Sequence, residues 1–234
     1  QTNNNISLKI TTIKFKFDVK KMSLFLEMAE PEIIYRDATI PTKKIKVYID
    51  FASIIKTNPK IKKINLTLNE LDIKQLKKLS IAFKPSNFKS FINNKLKQGK
   101  LNIDLEVFLD DNYLIKNYIA RGSVKNLKAE ILNNINLNEI NFNFFADKSD
   151  VLITNIFGKT GAIKIVDGDL KLELFPEIII TANFNTEIQY NNKLLNEKNL
   201  LKDFKYINDI IDLEAVLNNR ILIHFDKTYK VKKY

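Results

Sequence analysis

The sequence contains no cysteine, one histidine, five glycines and five prolines in 234 residues. Without cysteine, the chain can form neither disulfides nor thiolate metal sites, and cysteine usage gives no indication of its cellular compartment. The single histidine, His224, excludes histidine pairs as general acid and base as well as histidine-rich metal sites. Because His224 lies between Ile223 and Phe225, alternation predicts that it faces solvent.

Arginine is also scarce, although the chain is strongly basic. The formal net charge is +11, and only Arg36, Arg121 and Arg220 of the 38 basic residues are arginine. Arginine is the residue that reads base edges in bidentate fashion, and the lysines are scattered rather than grouped in a stripe. The composition therefore does not favour a nucleic-acid partner.

Long apolar runs are missing too. No segment approaches the roughly 18 consecutive apolar residues that a membrane-spanning helix needs. Because the sequence also begins without methionine, we expect the chain to be a segment of a longer protein whose signal or anchor lies outside it.

Motifs that carry chemistry are few. The pairs Asp110-Asp111 and Asp167/Asp169 lie where hairpins are predicted to turn, and neither has the further oxygen ligands of a calcium loop. The segment FGKTGA (157–162) lacks the earlier glycine of a phosphate-binding loop and is not followed by a helical pattern, so a turn is predicted there. With no catalytic set in sight, we predict a protein that is not an enzyme and binds no metal or cofactor.

What the chain has in abundance is alternation of apolar and polar residues. In LNIDLEVFLD (101–110) the odd-numbered positions are apolar and the even-numbered positions are polar, except for Phe108. Period two is typical of a β-strand with one apolar face. The residues predicted to line this face throughout the chain are Ile13, Phe15, Phe17, Ile45, Val47, Ile49, Leu101, Ile103, Leu105, Val107, Ile140, Phe142, Phe144, Leu170, Leu172, Leu174, Ile178, Ile180 and Phe184.

These strands predict a mainly β fold. Few helical patterns interrupt them and Asn- and Asp-containing turns join them, which favours a mostly antiparallel sheet. Long strands, scarce glycine and irregular turn spacing indicate a long, twisted sheet curved into an open apolar groove. A β-sandwich whose two sheets cover each other, serving as a structural or ligand- or protein-binding domain, is the alternative.

Local interruptions are also predicted. Thr11-Thr12 is expected to form a bulge inside one long strand that runs from Leu8 to Val19. Two or three amphipathic helices are expected, at residues 85–98, at Ile73 to Phe83, and in a C-terminal helical part at about 196–219. The chain reads as a single segment, 1–234, with a possible division near Gly99.

Four stretches resemble AsmA-like proteins, including the YhdP/TamB type of bridge-like lipid-transfer protein. Residues 40–76 are similar to the family's N-terminal repeat, in which a strand leads into an aspartate, a serine and a second strand. The matching positions here are Val47, Ile49, Asp50, Phe51, Ser53, Ile54, Ile55, Ile61, Ile64 and Leu66. The segments QGKLNIDLEVFLDDN (98–112), YIARGSVKNLKAEI (118–131) and 140–174 are similar to the YhdP-like branch, and the resemblance covers most of residues 6–190.

The resemblance implies a periplasmic protein built from a repeating β-groove and anchored in the inner membrane. Such a protein would carry phospholipid towards the outer membrane and contribute to outer-membrane lipid homeostasis. On this view the partners are phospholipids and, through regions outside this chain, the inner and outer membranes. The predicted apolar face would then touch acyl chains.

Overall fold

The computed structural model describes residues 6–19, 23–35, 38–81, 85–131, 135–161, 163–191, 212–226 and 231–234. The described strands form one long antiparallel sheet that is not closed, and three helices accompany it. This confirms the prediction of a mainly β protein with an extended antiparallel sheet. Curvature of that sheet into a groove stays a prediction.

The three helices are α1 (Phe51–Ile55), α2 (Ile73–Ser80) and α3 (Asn87–Asn94). The strands are β1 (Ile6–Lys9), β2 (Ile13–Asp18), β3 (Ser23–Ala29), β4 (Glu32–Tyr35), β5 (Ala38–Ile49), β6 (Ile61–Leu68), β7 (Leu71–Asp72), β8 (Leu96–Leu109), β9 (Ile115–Ile131), β10 (Ile135–Ala146), β11 (Asp150–Thr160), β12 (Ile163–Glu173), β13 (Ile178–Asn191), β14 (Asp212–Phe225) and β15 (Val231–Lys233).

The chain divides into two compact units. Unit 1 comprises residues 1–93 and 101–122, and unit 2 comprises residues 94–100 and 123–234. Strand β8 changes from unit 2 to unit 1 after Lys100, next to the glycine at which a division was predicted, and β9 changes back after Gly122.

In unit 1, the long strand β5 has two partners on one side. Its first residues pair with β4, and its last six pair with β3. A register shift towards β6 between Thr42 and Lys44 marks a bulge. Because the bulge adds one residue, Thr42 and Ile45 fall on the same face although three positions separate them.

Helix α2 begins with a capping box. The Asp72 carboxylate accepts a hydrogen bond from the backbone N–H of Gln75, whose side chain accepts one from the backbone N–H of Asp72. These bonds satisfy amide groups that the first turn of a helix leaves open. The Ser80 hydroxyl at the other end lies 3.0 Å from Oδ1 of Asn93 in α3, and Ser80 and Ile92 are fully buried.

In unit 2, the strands carry repeated bulges. Asn126, Glu139 and Asn155 have positive φ angles, and the register shifts between Ile165 and Asp167. Each extra residue reverses the alternation from that point onward and increases the local twist. These bulges explain why the simple period-two pattern does not run unbroken through strands β9 to β12.

The bulge in β12 overturns one prediction. Asp167, Gly168 and Asp169 form no hairpin turn; they lie inside β12, where Gly168 is opposite Phe184 of β13. A β-carbon on Gly168 would come within 2.4 Å of the Phe184 ring, so this glycine serves close packing. The predicted turn at Asp110-Asp111 is confirmed, because the Asp110 carboxylate accepts the backbone N–H groups of Asn112 and Leu114.

Other boundaries also differ from the sequence predictions. Leu8 and Ile13 belong to separate strands with different partners, so the single long strand was wrong. Helix α3 ends at Asn94, and Leu96 begins β8. Strand β14 begins at Asp212, which contradicts a helix over 212–219, whereas 196–211 lie outside the described residues. Phe157 to Thr160 belong to β11, and the chain turns at Gly161.

Candidate functional site

The cross-strand register of unit 1 assembles a continuous apolar surface, called here the apolar face. Strands β2, β3, β5, β6 and β8 lie side by side, and their apolar residues oppose one another. Two rows cross all five strands: Ile13, Met28, Ile45, Leu66 and Leu105; and Phe15, Leu26, Val47, Ile64 and Val107. A third row contains Phe17, Leu24, Ile49 and Ile61.

This face is incompletely covered. Met28 and Ile45 are buried, but Leu26, Val47, Ile64 and Val107 are only half-buried, and Phe15 is 73% exposed. Residues of a self-filled sandwich core would be inaccessible to water. Five strands about 4.8 Å apart make each complete row about 19 Å wide. The face can therefore contact an elongated apolar ligand along a row.

The opposite face of unit 1 explains Phe108. This residue pairs with Lys63, whose Nζ lies 5.9 Å from the Phe108 ring centroid and 4.4 Å from that of Tyr48. The Tyr48 and Phe25 ring centroids are 5.2 Å apart, and Nζ of Lys46 lies 5.0 Å from the centroid of Phe25. Cations stacked on aromatic rings are mutually stabilising, so Phe108 belongs to a mixed aromatic and lysine ladder.

Ion pairs complete that ladder. Nζ of Lys16 lies 2.6 Å from Glu27, and Glu106 pairs with both Lys63 at 3.3 Å and Arg121 at 3.1 Å. The hydrogen bond from Lys16 lowers the pKa of the Glu27 carboxyl, an effect reinforced by nearby lysine charges. Lys16, Lys46 and Lys63, three of the scattered lysines, thus stabilise the face of the sheet opposite the apolar face.

Unit 2 has a second apolar surface of the same kind. Ala146, Val151, Leu172, Ile180 and Ile223 oppose one another in one row across β10 to β14, and Phe144, Ile153, Leu170, Ala182 and Ile221 do so in the next. Most of these side chains are half-buried. The other face also exposes hydrophobic residues, including the cross-strand pair Phe145 and Leu152.

The structure places the predicted face residues as follows. Phe184 and Ile178 lie on the same face of β13 as Ile180. Ile140 packs over Gly158 of β11. Leu101 and Ile103 precede Leu105 in β8 at the alternate positions, as Phe142 precedes Phe144 in β10. Leu174 lies just beyond the end of β12.

Sequence reasoning missed a central strand of the apolar face. Strand β3 supplies Leu24, Leu26 and Met28, which occupy alternate positions of SLFLEMA. The signal was present, but Phe25 lies between the first two and belongs to the aromatic ladder on the other face. Consecutive apolar residues on both faces conceal a period of two.

The segment that resembles the AsmA-like repeat forms the corner from β5 through α1 to β6. Ser53 is buried, and its hydroxyl donates to the Asp50 carbonyl at 2.6 Å and accepts the backbone N–H of Lys60 at 2.8 Å. The backbone N–H of Asp50 donates to the Lys60 carbonyl at 2.9 Å. Ser53 therefore fixes the angle at which the chain leaves one strand and enters the next.

Replacing Ser53 with alanine should lower the free energy of unfolding by about 2 kcal/mol. The substitution leaves the partly buried N–H of Lys60 without its side-chain acceptor, and such a group costs about 1–3 kcal/mol when unsatisfied. The Asp50 carbonyl keeps the backbone N–H groups of Ser53 and Ile54. Urea denaturation measures the change. Thr57→Ala is the control, because the Thr57 hydroxyl is exposed and donates only to the neighbouring Lys56 carbonyl; equal effects of both substitutions would contradict this role of Ser53.

The remaining candidate groups show no assembled chemistry. In the described part of the chain, no three histidine, aspartate or glutamate side chains come together as a metal site. His224 is half-buried in β14 opposite Ile179, and Gly158-Lys159-Thr160 is extended in β11. None of the described helices has the length and apolar character needed to cross a membrane.

Comparison with family models, curated proteins and solved structures found no match to this chain. The resemblance to AsmA-like proteins therefore stays a prediction, and the functional argument depends on the geometry of the faces.

Proposed function

We propose that the chain is an AsmA-like, non-enzymatic lipid-binding segment whose apolar faces hold phospholipid acyl chains and conduct them along the sheet. In this proposal the protein works in the periplasm and is anchored to the inner membrane by a region outside this chain. It carries phospholipid between the inner and outer membranes and so maintains outer-membrane lipid composition.

The observation that supports this proposal is the partly uncovered apolar face of unit 1. An acyl chain exposed to water costs about 0.8 kcal/mol per methylene, which gives about 12 kcal/mol for about 15 methylenes. Contact with the Ile, Leu, Val and Phe side chains of successive rows replaces the contacts of the bilayer interior. A lipid can then move from row to row with little change in free energy, while its head group stays in water.

The alternative is a structural or ligand- or protein-binding β-sandwich with a self-filled core. Half-buried side chains at the centre of the face, and the 73% exposure of Phe15 at its margin, favour the lipid-binding proposal over a closed core.

Native mass spectrometry and a fluorescent phospholipid test the proposal. When the chain is purified under mild conditions from a lysate that contains membranes, its mass spectrum should show adducts with the mass of phospholipids. The purified chain should also bind a fluorescent phospholipid at about one or more molecules per chain. An unrelated soluble protein of similar net charge is the control, because it excludes adducts held by charge alone. A chain that is free of lipid and does not bind the fluorescent phospholipid would rule out the proposal.

A further inference from the structure

Strand β14 of unit 2 has an edge that the described strands only partly cover. One side of β14 pairs with β13 along its whole length, whereas on the other side β15 pairs with His224 and Phe225 alone. Among the described strands, none pairs with that side of β14 from Asp212 to Leu222, called here the open edge. The backbone N–H and C=O groups that point away from β13 can therefore bind a further strand.

The open edge also lacks the residues that usually protect an edge strand. Natural sheets often carry lysine there, which opposes pairing with another chain. Strand β2, which pairs only with β3 among the described strands, has Lys14 and Lys16, whereas β14 contains no lysine in a chain that is otherwise rich in it. Val216 is 76% exposed, and Leu217 and Leu222 are exposed as well. This edge is therefore suited to strand pairing.

Two exposed residues of opposite charge, Glu214 and Arg220, lie on the same side of β14. Within the chain, Glu214 is opposite Gln189 of β13 and Arg220 is opposite Asn183, so neither has a charged residue opposite it there. Neither forms an ion pair with the residues that the structure describes. Both charges are available to a strand that pairs with the open edge.

We propose that the open edge pairs with the open edge of a second copy of this chain, antiparallel and with Leu217 at the twofold axis. In this register Glu214 of each copy lies opposite Arg220 of the other, so that two ion pairs form, and Val216 lies opposite Asn218. Because residues directly opposite each other share a face of the sheet, the two Leu217 side chains meet on the other face. A twofold interface requires one surface that complements itself, and the open edge has both charges and an apolar centre.

The charges favour this register over its neighbours. A shift of two residues in either direction keeps the same faces together, but it places Glu214 opposite Asn218 or Leu222 instead of Arg220. Pairing about Leu217 also fits within the open edge and leaves β15 in place. The dimer goes beyond the proposed function and does not require bound lipid.

Sedimentation velocity of charge-reversed variants tests the dimer. The wild-type chain should form a dimer whose fraction rises with concentration. Arg220→Glu and Glu214→Arg should each weaken dimerisation by about tenfold or more, because both ion pairs become repulsions. An equimolar mixture of the two variants should dimerise about as well as the wild type, because opposite charges again face each other. Lys128→Glu is the matched control, since it reverses an exposed charge in β9, which four strands separate from β14.

A cysteine cross-link tests the register. The chain has no cysteine, so a single substitution supplies the only thiol. Two copies of Leu217→Cys should form a covalent dimer under mild oxidation, because residues opposite each other at the twofold axis have β-carbons about 4.5–5.5 Å apart. Leu222→Cys should stay monomeric on non-reducing gels, because its two thiols would be about 33 Å apart along the strands.

The outcomes separate the dimer from the proposed function. A chain that stays monomeric at every soluble concentration would refute the proposal and favour a strand of a different protein as the partner of this edge. Association that Arg220→Glu does not weaken, or that the mixture of variants does not restore, would refute it too. Equal cross-linking of Leu217→Cys and Leu222→Cys would refute the register. Val47→Asp should lose phospholipid binding and still dimerise, so failure of either proposal leaves the other standing.

Discussion

Replacing Val47 with aspartate should reduce phospholipid binding by about tenfold or more while the sheet stays folded. Val47 is half-buried at the centre of the apolar face, between Leu26 of β3 and Ile64 of β6. A bound acyl chain would have to cover the carboxylate and remove its water, which costs at least the 1.4 kcal/mol that corresponds to a tenfold loss of affinity. Fluorescent-phospholipid titration measures the loss.

Circular dichroism and thermal unfolding of the same variant separate the two functional hypotheses. On an open face the carboxylate keeps much of its hydration, so a cost of about 1–3 kcal/mol should lower the melting temperature by only several degrees. Thr39→Asp is the control, since Thr39 is exposed on the other side of β5. Its substitution should change neither phospholipid binding nor the melting temperature. Unfolding of Val47→Asp would favour a self-filled core instead.

Replacing Gly158 with alanine should destabilise unit 2 by about 3 kcal/mol. A β-carbon at this position would lie 2.4 Å from Cδ1 and 2.9 Å from Cα of Ile140. The side chain could change its rotamer, but the backbone contact requires β10 and β11 to separate. Overpacking of this kind costs about 1–3 kcal/mol and occasionally more. Denaturant unfolding measures the decrease.

Gly99→Ala provides the matched comparison for this substitution. Both glycines have a positive φ, +150° at Gly99 and +158° at Gly158, so the two substitutions share the backbone strain; at Gly99 the added methyl group would lie 3.2 Å from Cδ1 and 3.3 Å from Cα of Leu127, which is a milder overlap than at Gly158. Its effect should therefore be clearly smaller than that of Gly158→Ala. Similar losses for both glycines would show that the close contact with Ile140 does not control stability.

Much of the fold could be predicted because alternation is a local property. Period two is strict in β2 and broken only at Phe108 over residues 101–110 of β8, so it specifies both the strand and its apolar side, and the register then aligns Leu105 with Leu66 and Phe15 with Leu26. The turn at Asp110 was equally local, since its carboxylate caps backbone groups within four residues.

Prediction from the sequence failed where contacts with neighbouring strands, rather than local spacing, determine the conformation of a residue. Phe25 and Phe108 break the alternation because they lie on the face opposite the apolar face, where Phe25 contacts Lys46 and Tyr48 and Phe108 contacts Lys63. Asp167 and Asp169 suggested a turn because bulges and turns favour the same residue types. Strand β14 was predicted as helix up to Asn219, although pairing with β13 holds those residues extended.

The sequence by itself determined the class of fold, most of the strands and the apolar residues that share a side, because these depend on the spacing of residues along one strand. Only the tertiary structure decided which strands are neighbours, and hence that β3 lies between β2 and β5 and completes the five-stranded rows. It also decided how far each side chain is covered. The exposed fraction of a side chain depends on contacts between residues that are distant in sequence. The alternation along one strand carries no information about which residues pack against its apolar side.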